Sequence, residues 1–257
     1  MPRETALITG ASSGIGRALA RCFAEGGADL VLVARREEAL RDVARELEAD
    51  HGITAHVVPS DLAEPDAPQS LFDALTTDGL TVDVVVNNAG FGARGPVAEL
   101  DTQRQIDMVQ VNVTALTHLT RLFLPGMLDR GRGGVLNVAS TAAFQPGPNM
   151  SVYYATKAYV LSFTEGLAEE VRGTGVHISC LAPGATATEF ADRADMEDTM
   201  LFKMGAMTPT TVARAGYDGF RANTTLVVPG AFNKLTAASV RFVPRRLARN
   251  IAQWLQA

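Results

Sequence analysis

Residues 5–16 read TALITGASSGIG. Thr5–Thr9 is a short β-rich run closed by Gly10, and the stretch that follows, GRALARCFAEGGA, repeats apolar residues at helical spacing. The join therefore carries glycines at 10, 14 and 16 between a strand and a helix. Gly10 permits a tight turn that other residues resist. Gly14 and Gly16 let the backbone approach a ligand and let the helix pack on the strand, with Ser12, Ser13 and Ile15 filling the rest of the turn. A helix that starts here offers unpaired N–H groups and a positive dipole end to a pyrophosphate.

Outward from this turn, strand-like and helix-like segments alternate. DLVLVA, ITAHVV, VDVVVN, GGVLNVAS and VHISCLAP are apolar runs of strand length, and TTLVVPG reads as a shorter seventh strand. Helical patterns lie between them, including EEALRDVARELEADHG, residues about 65–77, a long helix over about 101–124 that stops near Pro125, and a helix over about 151–172. Strands that are apolar throughout, each followed by a helix, predict a parallel sheet covered on both faces. The expected fold is α/β: a Rossmann-like, doubly wound, seven-stranded parallel sheet with helices on both faces, built from 1–257 as a single domain. Ligands in such a sheet bind beyond the carboxyl ends of the strands, so the polar residues just after each strand are the ones to read.

Composition sets the outer bounds. The 257 residues are 47% apolar and 20% charged, an ordinary soluble balance, with a net charge of −5 that argues against a nucleic-acid partner. Cys22 and Cys180 are far apart and form no metal or redox motif, and His51, His56, His118 and His177 lack ligand-like spacing, so no metal is expected. The N-terminus enters a strand at once and no run approaches membrane-spanning length, so a cytoplasmic protein without an integral membrane segment is expected.

The polar residues after the strands form a pattern. TGASSGIG follows strand one, NNAG (87–90) follows strand four, and Asn112 lies in the next helix. Ser140 ends strand five, Tyr153 and Lys157 make Y-x-x-x-K, and Pro183-Gly184 follows strand six with Thr188 four residues on. In order and spacing, from about residue 5 to 190, this resembles the short-chain dehydrogenase/reductase family. The resemblance implies hydride transfer between a nicotinamide dinucleotide and a carbonyl or alcohol. It assigns Tyr153 as the acid/base, and Lys157 as the cation that lowers its pKa and holds the nicotinamide ribose. Ser140 is assigned as the donor to the substrate oxygen, and Asn112 as the holder of a relay water, by its side chain or by a local bend. A free phenol has a pKa of about 10, and a nearby ammonium favours the phenolate. For the cofactor, the resemblance adds Asp61 and Leu62 at the adenine, Asn88, Ala89 and Gly90 on the adenosine side, and Pro183, Gly184, Thr186 and Thr188 near the nicotinamide.

Strand two ends VLVARR. An acid there would bind the adenosine ribose and repel a 2′-phosphate. Instead Ala34 is followed by Arg35 and Arg36, and guanidinium groups fork onto phosphate oxygens. This resembles the NADP-preferring members, with Arg35 as the main phosphate contact and Arg36 as helper, and favours NADP(H) over NAD(H).

The loops after strands four, five and six, with Phe91 and Met150, carry few cations, and Met196, Met200 and Met204 recur every four residues in a segment expected to act as a lid over 189–207. A hydrophobic ketone or aldehyde fits such walls. Tyr154 is expected in packing or at a subunit contact. Residues 231–257 hold five basic residues and no acid, with an apolar set including Phe242 and Trp254. They read as a tail that covers substrate or joins subunits of a homodimer or homotetramer, or that rests on an anionic membrane surface. The leading expectation is an NADPH-dependent carbonyl reductase. An NAD-dependent alcohol dehydrogenase, another reaction of the family such as epimerisation, and a non-catalytic dinucleotide-sensing module are the alternatives.

Overall fold

Five of the strands are hidden from water along most of their length because apolar side chains point to both faces: Thr5–Thr9 (β1), Asp29–Ala34 (β2), Val84–Asn87 (β4), Gly133–Val138 (β5) and Val176–Leu181 (β6), while Ala55–Pro59 (β3), at the edge, is half-buried. A two-residue edge strand, Leu226–Val227 (β7), completes a seven-stranded sheet of order β3-β2-β1-β4-β5-β6-β7 in which every pairing is parallel. This is the expected doubly wound Rossmann sheet, and its order reverses between β1 and β4. The structure is a computed structural model that describes residues 3–190, 205–244, 246–247, 249–250 and 252.

Helices cover both faces. Gly14–Glu25 (α1), Glu37–His51 (α2) and Pro209–Arg221 (α7) pack on the face built from Ile8, Leu32, Val86 and Leu136. The other face, with Leu7, Val31, Val85 and Val135, is covered by Ala67–Thr77 (α3), Leu116–Arg130 (α5) and Ser151–Glu170 (α6), and Thr102–Val109 (α4) packs on α6. Ala231–Ser239 forms α8. Alternation of side chains along each strand feeds both cores from the same residues.

Two local features differ from the sequence reading. The long helix does not stop near Pro125 but runs to Arg130. Pro125 lies on the exposed side, where the missing backbone bond is tolerated, while Phe123 and Met127 stay buried on the other side. The same helix is also not uniform: Gln110–Ala115 widens into a π turn between α4 and α5, with Asn112 inside it.

Candidate active site

The glycine turn is held from the side by the loop after β4. The Thr9 hydroxyl accepts the N–H groups of Asn88 (3.0 Å) and Ala89 (2.9 Å) and donates to Val86 O (3.3 Å). Asn88 Nδ2 in turn donates to Thr9 O at 2.8 Å. Gly10 and Gly14 have φ of 68° and 55°, which favours glycine. A Cβ on Gly16 would sit 2.2 Å from Gly10 O, and one on Gly14 would press on the Thr188 methyl at 3.1 Å. Ser13 opens α1 without a side-chain cap, so the first-turn N–H groups have no hydroxyl acceptor from it.

At the far end of β2, the Arg35 guanidinium lies 3.7 Å from the Asp61 carboxylate, and Asp61 also accepts from Ala63 N at 3.1 Å. Arg36 turns across the cleft instead: it reaches Glu189 at 3.0 Å and Ser12 Oγ at 3.3 Å. All these groups are partly exposed, so the pairs are weak and exchangeable for a phosphate.

At the other end, four side chains converge. Tyr153 and Lys157 lie one turn apart on α6, both buried. Ser140 stands on the Tyr153 hydroxyl side of the cavity the two share and favours its ionised form. The Ser140 hydroxyl accepts from Ala142 N at 3.1 Å, so capping the short 3-10 turn Thr141–Phe144, and donates to Pro183 O at 3.4 Å. Lys157 Nζ donates to Val138 O at 2.9 Å and lies 5.8 Å from the Tyr153 ring centre. Asn112 comes within reach from the π turn: a Cβ on Gly90 would meet Asn112 Oδ1 at 2.9 Å and Lys157 Nζ at 3.4 Å. The Asn112 side chain is occupied by the protein, since it accepts from Phe91 N (3.1 Å) and donates to Phe91 O (3.0 Å) and Thr156 Oγ1 (3.1 Å). Of the two expected ways of holding a water, the side chain is thus committed elsewhere and the local bend is the feature present.

The electrostatics correct one expectation. In the protein itself the Tyr153 phenol is pushed up, by burial above all, with Ser140 pulling the other way. Lys157 is pushed down to about 8 because burial disfavours its ammonium form. Desolvation outweighs the expected lowering of the phenol by the lysine.

A cavity of about 390 Å³ joins the two ends. It is lined by the glycine turn from Gly10 to Gly16, by Arg35, Arg36, Asp61 and Leu62, by Asn88–Gly90, by Ser140, Tyr153 and Lys157, and by Pro183, Gly184, Thr186 and Thr188. Asn112 stands behind this lining. The cleft, the small residues that keep it open and the basic pair at its rim suit a dinucleotide with an extra phosphate. Gln145, in the loop after strand five, and Glu189 and Phe190, at the start of the segment expected as a lid, also line it, as does Asp107, which was not singled out from sequence because it stands outside any strand-end motif. Tyr154 is buried, packs edge-on to Tyr153 and forms part of the same wall, so it is not a surface contact. Thr186 is fixed by a bridge to Met207, whose N–H donates to Ala185 O at 2.9 Å. Met196, Met200 and Met204 of the expected lid lie outside the described residues. Among the described residues no cluster of three His, Cys, Asp or Glu side chains could hold a metal, and no helix is long and apolar enough to cross a membrane.

Residues 4–198 match the family model described as short chain dehydrogenase. The chain belongs to that family. Sulfoacetaldehyde reductase 2 of Chromohalobacter salexigens is 39% identical to this short chain dehydrogenase over 189 residues, covering 73% of this chain and 74% of that protein. Among solved structures, a short-chain dehydrogenase from Sphingobium yanoikuyae in complex with NADPH superposes with a TM-score of 0.83 at 31% identity, covering 93% of this chain and 94% of that one. The bulky-bulky ketone specific alcohol dehydrogenase from Comamonas testosteroni superposes with a TM-score of 0.79 at 30% identity over 94% of each chain. This short chain dehydrogenase is an NAD(P)-dependent oxidoreductase acting on carbonyl and alcohol groups.

Proposed function

We propose that the protein is an NADPH-dependent reductase of neutral, hydrophobic ketones or aldehydes. The reading rests on one observation: buried Tyr153 and Ser140 line the same cavity as the glycine turn and the Arg35–Arg36 pair. The dinucleotide, when bound, supplies the hydride. Ser140 and Tyr153 hold the carbonyl oxygen from two sides, and Tyr153 Oη gives its proton to the alkoxide as it forms. Burial keeps this phenol protonated at neutral pH, which suits an acid in the reducing direction. Lys157 holds positive charge and donors at the ribose end, and Asn112 steadies the loop at Phe91.

NADPH is favoured over NADH by Arg35, which stands where an acid would otherwise bind the ribose, and by the NADPH named with the Sphingobium relative. The described lining carries its cations at Arg35, Arg36 and Lys157. At the substrate end the wall is Phe91, Ala142, Met150, Tyr154 and Phe190 with Gln145 as a polar point, so a sulfonate or phosphate would find no counter-charge from the described lining there. A bulky ketone suits such a wall, like the one named for the Comamonas enzyme. The chain is read as one domain that assembles into a homodimer or homotetramer, supported by exposed Ile106 and Val109 on α4 and Tyr159 on α6.

NADPH consumption with aryl ketones, long-chain ketones, sugars and sulfonated aldehydes tests the reading. The neutral apolar compounds are expected to give the highest kcat/KM. Turnover confined to NADH, or a preference for the charged substrates, overturns it.

A further inference from the structure

A helix that packs on a protein normally turns its large apolar residues inward. α8 does the reverse. Ala237 is buried, with Asn233 and Thr236 half-buried beside it, while Phe232 and Leu235 remain 62% and 69% exposed. These two are three residues apart and share one face of the helix. Farther along, Phe242 is 88% exposed and Leu247 50% exposed. Lys234, Arg246 and Arg249 in the same stretch are exposed. The stretch 231–257 holds five of the chain's 23 basic residues and none of its 28 acidic ones.

From this we infer that the exposed α8 face, with Phe242, Arg246, Leu247 and Arg249 beyond it, forms a docking surface for an anionic lipid membrane. The protein lies on the bilayer and does not cross it. Aromatic and leucine side chains enter the headgroup boundary by about 5–10 Å, and the basic side chains of the same stretch meet the acidic lipid heads. Each cation near such a surface strengthens binding by about fivefold.

A second copy of the chain is the weaker occupant on charge. A twofold contact sets a surface against itself, which would bring two acid-free basic stretches together around an apolar centre. A second copy that set its acidic remainder against this face would raise the mass of the protein, an outcome the test below reads. An anionic bilayer matches both the apolar and the basic part. The inner side of α8 adjoins the site: Asn233 Nδ2 donates to Pro229 O at 2.8 Å, and a Cβ on Gly184 would stand 2.6 Å from the Asn233 amide. Docking therefore sets the cleft close to the lipid, where apolar compounds concentrate.

The test is co-sedimentation of the full chain with phosphatidylcholine vesicles, with and without about one third phosphatidylglycerol. Binding is expected on the acidic vesicles only, and it is expected to be lost at about 0.5 M salt. Phe232→Ser with Leu235→Ser, and separately Lys234→Glu with Arg249→Glu, are each expected to cut the bound fraction at least about tenfold while NADPH binding, read by fluorescence, stays unchanged. Equal sedimentation with neutral and acidic vesicles overturns the inference, as does none with either. If neither vesicle binds and the serine pair lowers the mass in sedimentation equilibrium, the face is a subunit contact and the inference fails.

Discussion

Tyr153 and Lys157 depart from their ordinary protonation in opposite directions for one reason, which is that burial disfavours the charged form of each. Tyr153→Phe keeps the ring and its packing on Phe190 but removes the proton donor. Steady-state assays are expected to show kcat lower by about 10²–10⁴ with NADPH affinity intact. Lys157 gives a stability prediction. Its folded pKa is about 8 against an ordinary 10.5, so between these values the unfolded chain holds more protons, and stability from this group rises with pH across that window. Lys157→Met lacks the increment. In urea titrations the difference between wild type and variant is expected to move toward wild type from pH 8 to 10, and a constant difference would show that the lysine is not buried as a cation. The residue types of this site were legible because Y-x-x-x-K, the serine after strand five and the glycine spacing are written in sequence. The direction of the Tyr153 shift was not, because burial is a property of the packed core and the lysine four residues away is visible without it.

Among the elements, the strands and most helices follow from apolar runs and periodicity, and β1, β2 and α2 match their reading within a residue. The exceptions have physical causes. Pro125 was read as a stop, but an exposed proline bends a helix without ending it when the opposite side is anchored by Phe123 and Met127. The π turn at Gln110–Ala115 leaves no mark in composition, since its residues suit an ordinary helix. The glycine turn tolerates little change. At Gly16 a methyl group would meet backbone, Gly10 O at 2.2 Å, and neither side can yield without moving the strand or the helix. Gly16→Ala is expected to lower stability by about 2–3 kcal/mol in denaturant titration and to weaken NADPH binding as well.

For the whole molecule, the order reversal between β1 and β4 brings the glycine turn and the NNAG loop side by side, and the later strands add Ser140 and Gly184 along the same edge. Such a sheet is expected to melt in one calorimetric transition. NADPH at about 100 times its Kd is expected to add about 2.7 kcal/mol and raise the midpoint. At equal concentration NADH is expected to raise it less, and Arg35→Ala to remove most of that difference. This edge was legible as a whole because each strand carries its polar residue at the same end. Arg36 was legible as a basic residue but not as the partner of Glu189, which lies 153 positions away in sequence.

The Thr9 hydroxyl, which collects the Asn88 and Ala89 amides and hands its own proton to Val86, ties the floor of the cleft to the two innermost strands. A chain caught part-way through unravelling thus has no intermediate form with a working floor and a frayed middle. Deuterium is expected to enter those two amides only as fast as it enters the heart of the sheet.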